Sequence, residues 1–291
     1  MPITAKNNDG VLVLRHTDAQ LILDAGRGGA IREFSCARRH VLRPTPLTAT
    51  FDPMEMACFP MVPYVNRIAA GRFQFGGRQV QLTRNWIQDP HPLHGQGWYG
   101  RWTVVQASAS TARLQFEGGG NAWPWRYRAE QRFAVEPNGL AIELSVENLG
   151  AEPMPAMLGL HPYFINASHT RLQAQLPRVW RTDRAALPLE EIATPVDWGF
   201  ATARPLTAVP LDHCFAGWDG AATLYSPEHT IQLQASNCNF LHVYVPEGRD
   251  FFCLEPQSAA AGALGRGGAE VMIVPPGELR GIRLRMTVGA A

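Results

Sequence analysis

The sequence predicts an all-β protein folded as one large antiparallel β-sandwich. Three observations lead there. Apolar and polar residues alternate over short runs, turn residues punctuate those runs, and no segment keeps a helical period over a convincing length. A parallel α/β sheet is excluded because the crossover helices that it needs are missing.

Along the chain, residues 72–75 and 78–82 alternate on either side of Gly76-Gly77. Two period-two runs joined by Gly-Gly make a hairpin. A longer hairpin is expected from residues 126–135 and 140–146, joined through Glu136-Pro137-Asn138-Gly139. Short strands are expected at 222–225, 230–235, 240–245, 251–254 and 271–274, and the turn Pro275-Pro276-Gly277-Glu278 leads into another at 281–288. The 27 glycines and 23 prolines are spread along the chain, as many turns require. Residues 181–209, rich in proline and alanine, read as an irregular surface excursion. Internal repeats and low-complexity linkers are missing, so residues 1–291 are expected to form a single domain.

Composition narrows the function classes. An apolar fraction of 46% with 18% charged residues suits a large buried core. The 26 basic and 25 acidic residues nearly cancel and form no run of like charge, which argues against nucleic acid or a membrane surface as partner. The first ten residues hold no apolar core of a signal peptide, and no apolar stretch reaches the roughly 18 residues that a membrane-spanning helix needs. Cys36, Cys58, Cys214, Cys238 and Cys253 are scattered without a CxxC pair. That is neither a disulfide framework nor a zinc pattern, and the cytoplasm is the expected compartment.

Four segments break the strand-and-turn rhythm. In Phe59-Pro60-Met61-Val62-Pro63-Tyr64-Val65-Asn66-Arg67-Ile68, two prolines interrupt any ladder and the loop ends by presenting Asn66 and Arg67. Arg67 offers forked donors for hydroxyls or an anion; its plainer use is to satisfy loop carbonyls. In His91-Pro92-Leu93-His94-Gly95-Gln96-Gly97-Trp98, proline and glycines around His94 shape a loop that fixes an imidazole. Trp98 adds a flat face of the kind that packs on a sugar ring, while His91 reads as a surface turn residue. In Gly159-Leu160-His161-Pro162-Tyr163-Phe164, His161 closes an apolar run, and its flanking proline and aromatics favour the mouth of a cleft over a satisfied core position. In Phe251-Phe252-Cys253-Leu254-Glu255-Pro256, a carboxylate ends four apolar residues, and Pro256 is expected to stop the strand with Glu255 at its lip. Burying such a group unpaired costs several kcal/mol, so Glu255 is either functional or held in an ion pair. Asp212, in Leu211-Asp212-His213, is a fifth candidate whose plainer reading is a turn cap.

Together these segments resemble the aldose 1-epimerase (galactose mutarotase) family. Asn66-Arg67-Ile68 before the Gly71-Arg72-Phe73 hairpin is similar to the family's Asn-Arg motif. Leu93-His94-Gly95 resembles its first histidine motif, His161-Pro162-Tyr163-Phe164 its second, and Glu255-Pro256 its glutamate motif, while Asp212 falls where the family keeps a sugar-binding aspartate. The resemblance runs from about Gly10 to the end, and the approach to Asn66 looks like the broad bacterial branch, for which galactose is not implied. It implies a β-supersandwich that exchanges the anomers of a free monosaccharide with no metal and no organic cofactor. Glu255 would be the base, His161 the acid, His94 a donor near the ring oxygen, and Arg67 and Asp212 ligands of other hydroxyls.

An ionised glutamate and a protonated histidine coexist near neutrality when each stabilises the other's charge. Other readings stay open at this point. They are a carbohydrate-binding module that would use Trp98 and Arg67, a glycosidase with Asp212 and Glu255 as its carboxylate pair, and an enzyme for sugar phosphates held by Arg67 and Arg72. A metal site from His91, His94, His161 and Glu255 is disfavoured because no helix puts the first two on one face. Monomer and homodimer are equally compatible with the sequence.

Overall fold

In a computed structural model, residues 10–166, 169–206 and 210–290 are described. The expected all-β architecture is found. An eleven-stranded and a nine-stranded antiparallel sheet carry most of the chain, with two small two-stranded sheets beside them. One buried apolar cluster runs from Leu12 to Met286.

The nine-stranded sheet follows the alternation rule. In Gly139–Asn148 the residues Leu140, Ile142, Leu144 and Val146 are buried while their alternates are half-buried. This strand pairs with Tyr127–Glu136, as the hairpin signal predicts, and with Leu279–Ala290 on its other side. The Arg72–Phe75 and Arg78–Gln81 hairpin also forms, and both turn glycines have positive φ, 58° and 77°, which is the reason the turn uses them. It stands as a separate two-stranded sheet.

The centre of the eleven-stranded sheet is different. Its middle strands, in spatial order, are Cys58–Met61, Gly159–Ile165, Phe251–Gln257, Phe240–Val245 and Leu211–Ala216. Cys58–Met61 is buried throughout, and Gly159–Ile165 and Phe251–Gln257 each bury six consecutive residues. Both faces are covered there, so period-two alternation disappears.

Three expectations are corrected. Pro256 does not end its strand, which continues to Gln257; Glu255 is 2% exposed and lies inside the sheet rather than at a lip. Residues 181–206 are not an irregular excursion, because they include the end of Arg178–Thr182, then Pro188–Ala193 and Arg204–Pro205; residues 207–209 lie outside the described residues, as do residues 1–9. Pro188–Ala193 pairs along one side at a sheet edge and buries no residue, so it carries no apolar period to read. Pro60 does not interrupt the ladder, because Cys58–Met61 is a strand paired with Gly159–Ile165. The strand expected at 271–274 forms as Met272–Val274, paired with Met154–Ala156 away from both large sheets.

Candidate active site

Two loops and four strands build the site. The loop before Ile68 and the loop around Gly95 are joined by bridges between Val62 and Gly95 and between Arg67 and Leu93. The Asn85 amide holds the second loop from behind, donating to Leu93 O at 2.7 Å and Gly95 O at 2.8 Å. Gly95 sits at φ 77°, and a Cβ there would lie 2.1 Å from the Val62 carbonyl oxygen, so only glycine allows this approach.

Asn66 and His94 then meet in an unusual way. Both are non-glycine residues in the left-handed region, at φ 53° and 55°. The Asn66 N–H donates to His94 Nδ1 at 3.2 Å, and the His94 N–H donates to the Asn66 carbonyl at 3.1 Å. With Nδ1 used as an acceptor, the ring proton of neutral His94 sits on Nε2. Burial holds its pKa well below the ordinary histidine range, and the nearby His161, Arg67 and His242 lower it further. His94 is therefore a neutral donor with a fixed tautomer. Trp98 is corrected: it is fully buried, donates Nε1–H to Gly95 O at 3.1 Å, and packs edge-on against His94 at 5.5 Å. It supports the imidazole and offers no face to a sugar.

His161 and Glu255 come together across adjacent strands. The register pairs Gly159 with Gln257 and Tyr163 with Cys253, which places His161 beside Glu255 and puts Pro162 and Pro256 in the same interval. Two prolines there remove two backbone donors. His161 Nε2 lies 3.1 Å from Glu255 Oε1, and Gln257 donates to Glu255 Oε2 at 3.1 Å. The His161 ring is held between Phe59, at 4.5 Å, and Tyr163, at 4.7 Å.

Burial dominates the electrostatics of this pair. It pushes the Glu255 pKa up to about 7, against the pull of His242, and lowers that of His161 to about 3, with His242 and Arg43 adding to the effect. The resting pair is thus not the ionised-glutamate, protonated-histidine couple expected from unperturbed values. It holds one proton between its two members up to about neutrality, with Glu255 as the preferred carrier.

A third buried histidine, His242, was not singled out by the sequence. It sits directly across from Glu255 on the neighbouring strand, 4% exposed, with Nε2 2.8 Å from Asp212 Oδ1. Its sequence signal is slight: one histidine among five apolar residues in Phe240–Val245. Burial opposes its charge, but Glu255 and the Asp212 hydrogen bond outweigh this and raise its pKa well above the ordinary range. Asp212 keeps a side chain 45% exposed, and although burial opposes ionisation, the His242 hydrogen bond lowers its pKa.

The remaining candidates divide. Arg67 is part of the cluster, and its charge lowers the pKa of both Glu255 and Asp212. Its Nε is committed to Asp89 at 2.7 Å. Asn66 is 4% exposed, and its side chain serves the Arg67 N–H and approaches His242, so it organises the site instead of facing a ligand. His91 takes the Ala70 N–H at 3.1 Å in a turn, as its plainer reading had it. His161, Cys253 and Glu255 each place one donor atom within 4.8 Å of the others. Burial and Glu255 keep the Cys253 thiol protonated, the form that does not ligate a metal.

A family model described as aldose 1-epimerase matches residues 11–287. The uncharacterized protein YphB of Escherichia coli K12 is 33% identical over 280 residues, covering 92% of this chain and 95% of the relative. A crystal structure from Escherichia coli K12, of a protein provisionally described as an aldose 1-epimerase, superposes with a TM-score of 0.90 at 31% identity, over 97% of this chain and 99% of the other. A galactose 1-epimerase from Lactobacillus acidophilus shares the fold, with a TM-score of 0.80 at 16% identity over 100% and 98% of the two chains.

Proposed function

The chain belongs to the aldose 1-epimerase family, and on that premise we propose that it interconverts the α and β anomers of a free aldose. One observation carries the reading: His161 Nε2 and Glu255 Oε1 stand 3.1 Å apart in a buried site. Anomer exchange moves protons at two oxygens bonded to the same carbon, so acid and base must be neighbours.

Binding of the sugar inserts those oxygens between the two groups. Glu255, ionised after its proton has crossed to His161, takes the proton of the anomeric hydroxyl while His161 protonates the ring oxygen and the ring opens. The aldehyde turns about its bond to the next carbon, and closure on its other face runs the same transfers in reverse. His94 donates Nε2–H toward the ring oxygen, while Asp212 and Arg67 hold other hydroxyls. Each positioned proton-transfer group contributes on the order of 10²–10⁴ in rate. The pair works while it holds one proton, so kcat/KM falls as pH rises through about 7.

The free sugar is preferred over a phosphorylated one because Asp89 already offsets the Arg67 charge, leaving its other nitrogens to neutral hydroxyls, and Arg72 lies on the separate small hairpin. Arg67 is held by Asp89 at 2.7 Å, and Arg72 donates to Gln81 at 2.7 Å on the small hairpin. The cytoplasm is the compartment that suits its five free cysteines. No helix among the described residues is long and apolar enough to cross a membrane.

Polarimetry on freshly dissolved α-glucose, α-galactose, xylose and arabinose tests the activity. Wild type is expected to speed the approach to equilibrium on at least one of them and Glu255→Gln to abolish the gain. Sugar binding by calorimetry without any acceleration would leave a carbohydrate-binding protein in its place.

A further inference from the structure

We propose that His242 is a positioning residue that carries a positive charge in the resting site, where it fixes the Asp212 carboxylate and governs when the Glu255–His161 pair releases its proton. The second half of this rests on the acid–base reading above; the charge and the grip on Asp212 do not.

Geometry supports it from two sides. On the sheet, His242 is the direct cross-strand partner of Glu255, and such partners have Cβ atoms about 4.5–5.5 Å apart. On its other side its direct cross-strand partner is Cys214, and the ring reaches Asp212, two positions along, at 2.8 Å. The Asp212 carboxylate stabilises a second ring proton while Glu255 still holds its own, and Glu255, once ionised across the strand, stabilises it further. With Oδ1 held, Asp212 keeps its other oxygen for a sugar hydroxyl. The Asn66 amide nitrogen stands 3.4 Å from His242 Nδ1, longer than an ordinary N–H···N contact, so it does not lock the ring in the neutral form.

The surrounding charges leave His242 in command. Arg67 reaches Glu255 from the loop but is paired with Asp89, and Arg43 lies over the Tyr163 ring that stacks on His161. His94, His161 and His213 have pKa values lowered by burial, and the Cys58 and Cys253 thiols and the Tyr163 and Tyr244 phenols have theirs raised by it, so these groups are neutral near pH 7. Asp212 opposes Glu255 ionisation and His242 favours it. Loss of the His242 charge must therefore raise the pH at which the pair gives up its proton.

Two measurements test this. In ¹⁵N spectra of the wild-type histidines, titrated from pH 5 to 9, both ring nitrogens of His242 are expected to remain protonated at pH 7. A His242 ring already neutral there, with a bare Nδ1, overturns the proposal. The titration uses the wild type, so the test survives a variant that fails to fold. In the pH profile of kcat/KM for mutarotation, His242→Gln is expected to move the alkaline limb upward by about one unit. A purely structural role would lower the profile equally at every pH and leave the limb in place, and that outcome overturns the electrostatic half. If wild type accelerates no sugar, the acid–base reading fails by itself and the ¹⁵N titration alone decides the charge of His242.

Discussion

The two large sheets draw on the same amino acids and spend their charges differently. The nine-stranded sheet keeps most of them outside, Glu130 being the buried exception. Arg128 bridges Glu117 and Glu147 at 2.9 and 3.1 Å, Arg283 meets Glu143 at 2.6 Å, and Arg285 meets Glu136 at 2.8 Å, on the face away from its apolar core. The eleven-stranded sheet buries His161, His242, Glu255 and Gln257 at its centre. A charge left in water gains little from a partner. The same group under a covered face has its pKa set by burial and by the few charges beside it. The second sheet is where chemistry becomes affordable.

That contrast can be broken by substitution. His161→Gln should cut kcat/KM for mutarotation by on the order of 10²–10⁴, read by polarimetry, while the unfolding midpoint stays close to wild type. Leu144→Ala, in the middle of the nine-stranded sheet, should do the reverse. It should cost about 2–5 kcal/mol in urea unfolding and leave kcat/KM of the folded protein within about twofold. If Leu144→Ala lost activity while folded, the two sheets would not be functionally separate.

A finer test uses pH. The Glu255 pKa is raised from 4.5 to about 7 on folding, so its stabilising contribution is complete below about pH 4.5 and is lost as pH rises through about 7. Glu255→Gln removes that loss. The variant should become more stable relative to wild type between pH 5 and 7.5, by an amount on the order of 3 kcal/mol, and thermal melts at a series of pH values measure it. A stability difference that is flat with pH would mean that Glu255 is ionised without cost in the folded protein. The smallest effect belongs to the wet face: Arg283→Ala should change unfolding free energy by less than about 0.5 kcal/mol.

Legibility in the sequence divides along the same line. The nine-stranded sheet could be read because one solvated face imposes alternation, as in Leu140, Ile142, Leu144 and Val146. His161 and Glu255 stood out because each closes an apolar run at a proline. Pro256 reads as a stop in the sequence, yet with Pro162 it serves as a gap in a continuing pair of strands. His242 stayed hidden because a strand covered on both faces has no polar side against which a buried polar residue looks out of place. Trp98 was assigned to the ligand because sequence marks an aromatic near a histidine without saying which side of it is filled; Phe59 and Trp86 already pack on it. Protonation states were the least legible of all, since unperturbed values carry no information about burial.

The paired left-handed residues Asn66 and His94 bear on how this site should be dissected. Alanine at either position deletes a side chain and also introduces a residue that resists the backbone shape, so a loss of activity would confound two causes. Glycine separates them: it accepts the turn freely, and whatever function it lacks belongs to the amide or the imidazole alone. Comparing glycine with alanine at these two positions divides each defect into a conformational share and a chemical one.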